Sequence, residues 1–265
     1  MSSILELLWL VPLGFIAGGY GTLIGAGGGF ILAPSLLLIY PDEAPETLTV
    51  ISLCVVFFNS LSGTLVYLRS GRIDFKAGVI FALATMPGAV AGALTTAAIS
   101  RARFNLLFGI LLIIVAVFLV LTPRRANAVA MAHSGRDAKR RPNLATMMIG
   151  AAVSTCFGFI SSFLGIGGGF LYVPSLVYLL KFSVHIATAT SLFVLTLTSL
   201  TGSITHFAAG LFDQEFHQAI GLSIGAMAGA QVAARVSQRI HGALIMRSLA
   251  VALALVGSRL VALAL

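Results

Sequence analysis

Charged side chains are scarce in this sequence. They make up 9% of its 265 residues, whereas 58% are hydrophobic, and the mean hydropathy is +1.05. A soluble domain carries about 25% charged residues, because its water-facing surface has to be covered by polar groups. The chain lacks both that charge and the amphipathic outer helices of a soluble protein. Lipid is therefore expected to cover its surface.

The sequence also lacks the residues on which several other functions depend. Its two cysteines, Cys54 and Cys156, lie inside apolar segments and do not suggest a disulfide framework. It has no acid pair, metal-ligand spacing, nucleophile–base arrangement or nucleotide-binding motif. We therefore expect no enzymatic activity, no cofactor, no metal and no direct use of ATP. The N-terminal MSSILELLWLVP lacks a basic region and a small-residue cleavage site, so we expect it to begin the first helix rather than form a removable signal peptide.

Long uncharged runs predict membrane-spanning helices. Residues 7–40 and 144–180 hold no charged side chain over 34 and 37 residues, and runs of 20 to 24 residues lie at 47–68, 77–100 and 104–123. About 20 apolar residues cross the hydrocarbon core as a helix, and only helices and closed barrels satisfy their backbone there. The runs are continuous, whereas barrel strands alternate in character. The predicted fold class is an all-α polytopic membrane protein.

Positive charge is concentrated between the two halves of the chain. Residues 124–143 carry six basic side chains against Asp137 alone and supply +5 of the net charge of +8. A basic loop between membrane segments is typical of the cytoplasmic side, so we do not expect nucleic-acid binding. The predicted organisation is a membrane repeat at 1–123, a basic cytoplasmic linker at 124–143 and a second membrane repeat at 144–265, in a cell inner membrane.

The chain contains two copies of one sequence unit. Residues 21–36 (GTLIGAGGGFILAPSL) and 161–176 (SSFLGIGGGFLYVPSL) are identical at eight of sixteen positions, at an offset of 140. A shared order of Gly, Pro, Ser or Thr, and Asp is rarely produced by chance, so we infer a duplication. The same order continues in two further pairs of blocks, NSLSGT at 59–64 with TSLTGS at 198–203 and SGRID at 70–74 with AGLFD at 209–213.

The relative direction of the two repeats decides how many segments each contains. About five helical segments in each half give an inverted repeat, and four give a parallel one. If both long uncharged runs cross twice or form hairpins, the basic residues at 69–76, 124–141, 181 and 235–247 share one side of the membrane, where they number three, six, one and three. This bias favours an inverted 5+5 repeat with glycine-broken helices over a 4+4 arrangement.

The motifs GAGGGF at 25–30 and GIGGGF at 165–170 are the most informative residues. Each glycine costs a helix about 1 kcal/mol relative to alanine, so we expect breaks there. A break exposes N–H groups, and the half-helix that follows presents its positive dipole end, so two such ends near the bilayer midplane favour an anion. Transporters with repeats and broken helices place substrate sites in this way. The alternative is close helix packing through small residues.

Polar residues in the next helical region of each half are expected to complete the site. Asn59 is the strongest candidate, because a buried amide needs partners. His206 lies in the equivalent region of the second half, where a proton-handling role is conceivable. Its place near the end of the segment favours an interfacial histidine. The predicted substrate-binding residues are Gly25, Gly27, Gly28, Gly29, Phe30, Asn59, Ser62, Gly165, Gly167, Gly168, Gly169, Phe170, Ser199 and Thr201.

The pattern G-x-G-G-G-F-x-x-x-P-S-L occurs twice, as GAGGGFILAPSL and GIGGGFLYVPSL, and resembles the TauE/SafE sulfite exporter family, also called the toluene sulfonate uptake permease family. The resemblance extends over essentially the whole chain. It implies a secondary transporter of small sulfur-containing anions, such as sulfite or sulfonates like sulfoacetate, across the inner membrane. It does not separate import from export. The expected partners are the anion and the lipid bilayer, with homo-oligomerisation left open.

Two other functions stay open on the sequence alone. The first is a non-transporting membrane scaffold subunit whose glycines serve helix packing. The second is a transporter of an uncharged or cationic solute. Flux measurements separate the scaffold from a transporter, and ligand binding that follows ligand charge separates the two kinds of transporter.

Overall fold

The structure is a computed structural model that describes residues 2–96, 98–121, 144–180, 182–210, 216–237 and 242–263. The described residues form ten α-helices and no strand, so the prediction of an all-α fold is confirmed. The helices are α1 Ser2–Ile24, α2 Gly29–Ile39, α3 Pro45–Arg69, α4 Phe75–Thr96, α5 Arg101–Leu121, α6 Leu144–Leu164, α7 Gly169–Leu179, α8 Val184–Ala208, α9 Phe216–Val236 and α10 Gly242–Ala262.

Six of these helices are long and apolar enough to cross a membrane within the described residues. A crossing helix needs about 20 residues at 1.5 Å per residue. Large apolar side chains such as Leu83, Ile114 and Leu255 are well exposed on the outside of the protein, as lipid contact requires. The six segments are Pro45–Arg69, Phe75–Thr96, Arg101–Phe118, Met147–Leu164, Val184–Ala208 and His217–Val236.

Helices α1 and α2 form an antiparallel hairpin. The rings of Tyr20 and Phe30 lie 6.4 Å apart near its tip, and those of Trp9 and Tyr40 lie 6.4 Å apart at its other end. Residues with higher numbers after the turn therefore lie beside residues with lower numbers in α1. With 11 residues, α2 is about 16 Å long and cannot cross the roughly 30 Å hydrocarbon core. Helix α2 is therefore a short arm that runs back beside α1.

Helices α6 and α7 repeat this hairpin in the second half. Near its tip, Gly168 lies beside Ser161. Further from the tip, the rings of Phe157 and Tyr172 are 5.3 Å apart, and the Tyr172 hydroxyl donates to the carbonyl of Ser154 at 3.2 Å. Since α7 also has 11 residues, it too is a short return arm.

The two halves of the chain pack into each other rather than standing as separate bodies. Helix α1 lies against α9, and α6 lies against α4. Between the halves, Gly63 on α3 faces Leu192 on α8, and Gly202 on α8 faces Leu53 on α3. Along this contact, residue numbers increase on α3 where they decrease on α8, so these equivalent helices run antiparallel. An inverted repeat requires this direction.

Arg101 holds the open end of the α1–α2 hairpin against α5. Its guanidinium donates to the carbonyls of Leu37 and Tyr40 at 3.0 and 3.2 Å and to that of Glu43. The last carbonyls of a helix have no partner inside it, so Arg101 supplies the missing donors at the end of α2.

Replacing Arg101 by alanine should therefore loosen this hairpin. Hydrogen bonds from a charged donor contribute about 1.5–3 kcal/mol, so we expect a lower Tm in detergent and faster proteolysis after residue 40. Arg103, which lies two residues further along α5 and is exposed, provides the control. An equal loss of Tm in Arg103→Ala would contradict the role of Arg101.

Predictions about the loops fall partly outside the described residues. The Asp74 carboxylate accepts from the N–H of Ala77 at 3.0 Å and so caps the start of α4. The equivalent Asp213 lies outside the described residues, as do Lys181 and the linker predicted at 124–143.

Candidate functional site

Both glycine motifs interrupt the helices. Helix α1 ends at Ile24 and α2 begins at Gly29, while α6 ends at Leu164 and α7 begins at Gly169. Three glycines in each interruption have a positive φ, between 70° and 83°, which costs any other L-residue roughly 1–2 kcal/mol. They are Gly25, Gly27 and Gly28 in the first motif, and Gly165, Gly167 and Gly168 in the second.

The two interruptions meet inside the protein. A Cβ on Gly29 would overlap the carbonyl oxygen of Ile166, and one on Gly169 would overlap the carbonyl oxygen of Gly25. Around this junction, Gly27 and Gly167 both face the side chains of Val56 and Leu195. Val56 and Leu195 lie near the middle of the long helices α3 and α8. The contact between the hairpins is therefore central.

At the start of α2 and of α7, the first main-chain N–H groups have no hydrogen-bond acceptor among the described residues; we call them open. Ala26 N–H donates to Gly21 O at 2.7 Å, and Leu32 N–H donates to Gly28 O at 3.0 Å. Between them, the N–H groups of Gly27 and Ile31 donate to Gly21 O and Gly28 O at 3.3 and 3.1 Å, whereas the N–H groups of residues 28–30 have no acceptor among the described residues. The N–H groups of residues 168–170 in the second motif likewise have none there. A helix N-terminus with open N–H groups attracts negative charge. The open groups belong to Gly28, Gly29, Phe30, Gly168, Gly169 and Phe170.

Two serines tie each hairpin to a helix of the opposite half. Ser52 on α3 donates to the carbonyl of Gly165 at 2.6 Å. Ser191 on α8 donates to the carbonyl of Gly25 at 2.9 Å and lies 3.5 Å from that of Gly169. Sequence reasoning did not include these serines. One signal was present, because they are separated by 139 residues, the same spacing as the matched blocks at 59–64 and 198–203.

Replacing Ser52 or Ser191 by alanine should loosen the junction between the hairpins. Each change leaves a buried carbonyl without its donor, which costs about 1–3 kcal/mol. We expect a larger loss of Tm from Ser191→Ala, because Ser191 touches both hairpins. Ser60→Ala is the matched control, since the Ser60 hydroxyl donates to Val56 O in its own helix at 2.6 Å. Equal Tm in all three variants would show that the serines hold nothing together.

The predicted polar residues differ in what they contact. Asn59 is fully buried, and its amide donates to the hydroxyl of Thr22 on α1 at 3.2 Å. Ser62 donates to the carbonyl of Met227 at 3.1 Å and accepts from Gln231 at 3.0 Å, which joins α3 to α9. These two side chains connect helices. Neither contact reaches a glycine motif.

Ser199 and Thr201 make their hydrogen bonds within α8. Their hydroxyls donate to the carbonyls of Leu195 and Leu197, one turn earlier, at 2.6 and 2.9 Å. This is the ordinary arrangement of a Ser or Thr inside a helix. Their predicted part in a substrate site receives no support from these contacts and stays a prediction.

His206 lies inside the protein. Its side chain is fully buried with the ring close to the main chain of Ser162, and neither ring nitrogen makes a hydrogen bond of normal geometry with a described group. From the sequence we expect an interfacial histidine, whereas in the structure the ring is buried. The predicted phenylalanines of the motifs, Phe30 and Phe170, are also buried.

No group of three His, Cys, Asp or Glu side chains comes together as a metal site in the part of the chain that the structure describes. Lysine and arginine are likewise missing from the fully buried side chains of that part. The polar donors available at the centre are therefore the open N–H groups, the buried hydroxyls, and the side chains of Asn59 and His206.

Comparisons with known proteins agree with a transport function. The family model described as "Sulfite exporter TauE/SafE" matches residues 10–260. The "Probable membrane transporter protein YunE" of Bacillus subtilis (strain 168) is 36% identical over 214 residues, covering 76% of this chain and 78% of the relative. The "Probable membrane transporter protein MJ0441" of Methanocaldococcus jannaschii is 33% identical over 217 residues, covering 77% and 75%. No solved structure matches the chain.

The resemblance noted from the glycine motifs is thereby confirmed. With its helical membrane fold and its match over residues 10–260, the chain belongs to the TauE/SafE family of membrane transporters.

Proposed function

We propose that the protein is a secondary transporter of small sulfur-containing anions, sulfite or sulfonates such as sulfoacetate, across the inner membrane. The observation that carries the proposal is the meeting of two helix N-termini with open N–H groups in the centre of the protein. Such N-termini bind anions without a basic side chain. The name of the matching family, sulfite exporter, supports sulfur oxyanions as the substrate class.

A membrane scaffold remains the second candidate, because one observation favours it. The glycines at the junction allow the two hairpins to approach until Gly29 touches Ile166 and Gly169 touches Gly25, and close packing through small residues is common in membranes. The scaffold uses this contact for stability alone, whereas the transporter must also open it. A flux measurement therefore separates the two.

The test is sulfite movement into proteoliposomes. Purified protein is reconstituted, and uptake of radiolabelled sulfite is compared with that of protein-free vesicles and of vesicles carrying an unrelated membrane protein. The proposal expects saturable uptake that unlabelled sulfite or sulfoacetate inhibits and that an uncharged sulfur compound such as dimethyl sulfone does not. Folded protein without uptake of any sulfur anion would favour the scaffold.

The hairpins also support one assignment of the helix ends to the two sides of the membrane. If α1–α2 and α6–α7 return to their starting sides, the helix ends at residues 69, 121, 144 and 236 share one face, and those at 39, 96, 101 and 208 share the other. The first group carries the basic excess seen in the sequence, so we place it in the cytoplasm.

Cysteine labelling tests this topology. In a background without Cys54 and Cys156, Ser100→Cys should react with an impermeant maleimide in intact cells, and Gly71→Cys should react only after the membrane is opened. Both positions are exposed on the protein. Labelling of both from the outside would overturn the arrangement.

A further inference from the structure

Most buried hydroxyls on these helices have an ordinary partner. Ser154, Thr196 and Thr198, for example, donate to carbonyls four residues earlier at 2.7 to 3.0 Å. Two neighbouring serines in the last turn of α6 differ. Ser161 and Ser162 are fully buried, and their hydroxyls have no partner among the described residues. Buried polar groups are rarely left in this state, because each costs desolvation energy without a compensating bond.

These hydroxyls lie next to other unpartnered donors. A Cβ on Gly168 would be 3.3 Å from the Ser161 hydroxyl oxygen, so Ser161 borders the open N-terminus of α7. A Cβ on Gly202 would be 2.6 Å from the Ser162 hydroxyl oxygen. His206 lies one turn further along α8, on the same face as Gly202. Its ring lies close to the main chain of Ser162, but its nitrogens make no hydrogen bond of normal geometry with a described group.

The first half has equivalent positions, but they are satisfied. Gly21 stands where the second half has Ser161, and it packs directly on the main chain of Gly28. Thr22 stands in place of Ser162 and is bonded to Asn59. Tyr67 stands in place of His206, and its hydroxyl lies 3.2 Å from that of Ser237. At these three matched positions, the side chains without partners thus belong to the second half alone.

We propose that Ser161, Ser162 and His206, with the first N–H groups of α7, form the binding site for a small oxyanion, and that the first hairpin serves as its structural counterpart. Hydroxyls, main-chain N–H groups and a neutral imidazole all donate hydrogen bonds, and an oxyanion accepts several at once. This inference rests on the proposed function and deepens it, because it assigns the anion to one of the two helix N-termini.

Binding to purified protein tests the site. Sulfite and sulfate are titrated into detergent-solubilised protein by calorimetry, with sodium chloride as the reference. We expect Ser161→Ala/Ser162→Ala to raise Kd at least tenfold, because a lost hydrogen bond to a charged ligand corresponds to roughly that factor. His206→Leu should weaken binding similarly, and His206→Gln, which retains a donor, should weaken it less.

The Tm of the ligand-free protein separates a binding role from a structural one. The hydroxyls of Ser161 and Ser162 hold nothing in place, so alanine there should leave Tm unchanged or raise it while it removes binding. The controls are Ser154→Ala, whose hydroxyl is satisfied within α6, and Tyr67→Phe, the first-half equivalent of a change at His206. Both should keep the Kd of the unchanged protein.

The outcomes distinguish this inference from the proposed function. If sulfite is transported but the serine double variant keeps its Kd and flux, the site assignment is wrong and the function stands. If no sulfur anion moves but phosphate raises Tm only when both serines are present, the site stands and the substrate class falls. If neither sulfite, sulfate nor phosphate binds the unchanged protein, the groups without partners hold water and the inference is overturned.

Discussion

Alanine at Gly29 or Gly169 should abolish sulfite uptake while the protein still inserts and folds. Each added Cβ would overlap a main-chain carbonyl of the other hairpin, that of Ile166 or Gly25, and main chain cannot turn aside as a flexible side chain can. The hairpins would be forced apart, which moves the open N–H groups away from each other. We expect uptake in proteoliposomes to fall at least tenfold, with a change in Tm of only a few degrees, since about 1–3 kcal/mol is typical of such overpacking.

Two other glycines supply the control for backbone strain. Gly71 and Gly210 have φ values of +63° and +70°, but an added Cβ would meet nothing within 4 Å. Alanine there costs roughly 1–2 kcal/mol of conformational strain and creates no clash. Uptake should therefore stay normal in Gly71→Ala and Gly210→Ala. Normal uptake in both Gly29→Ala and Gly169→Ala would instead show that the hairpins need not meet for transport.

Alanine at Gly88 or Gly225 should have a different and larger effect, which is loss of the folded protein. A Cβ on Gly88 would overlap the carbonyl of Thr155, where α4 packs on α6, and one on Gly225 would overlap that of Val11, where α9 packs on α1. These two helix pairs join the halves along much of their length. Small residues at such interfaces let the backbones approach closely. The fraction of monodisperse protein in size-exclusion chromatography after extraction should fall several-fold.

Gly19 is the matched control at the same α1–α9 interface. There the nearest atom to an added Cβ, the carbonyl oxygen of Gly229, would be 3.4 Å away, a separation that small shifts accommodate. Gly19→Ala should consequently yield as much monodisperse protein as the unchanged chain. If Gly88→Ala and Gly225→Ala do so too, the close approach of these helix pairs is not needed for folding.

The site was only partly predictable, because a hydroxyl in a helix has two kinds of partner. Ser199 and Thr201 bond to their own helix, whereas Ser52 and Ser191 bond across to the glycine breaks of the opposite half. Local sequence does not decide between these outcomes, since the choice depends on which helix comes to lie alongside. His206 likewise looked interfacial from its place near the end of a segment, but neighbouring helices bury it.

The sequence by itself determined that lipid surrounds the protein, that its fold is helical and to which family it belongs. These follow from local properties, namely the lack of charge, the length of the apolar runs and the repeated glycine motif. The tertiary structure alone decided that α2 and α7 turn back beside their preceding helices, that the two hairpins touch, and which serines are left without partners. Those features depend on contacts between residues far apart in the sequence, such as Gly29 with Ile166, which are 137 positions apart. No local pattern encodes which surfaces meet.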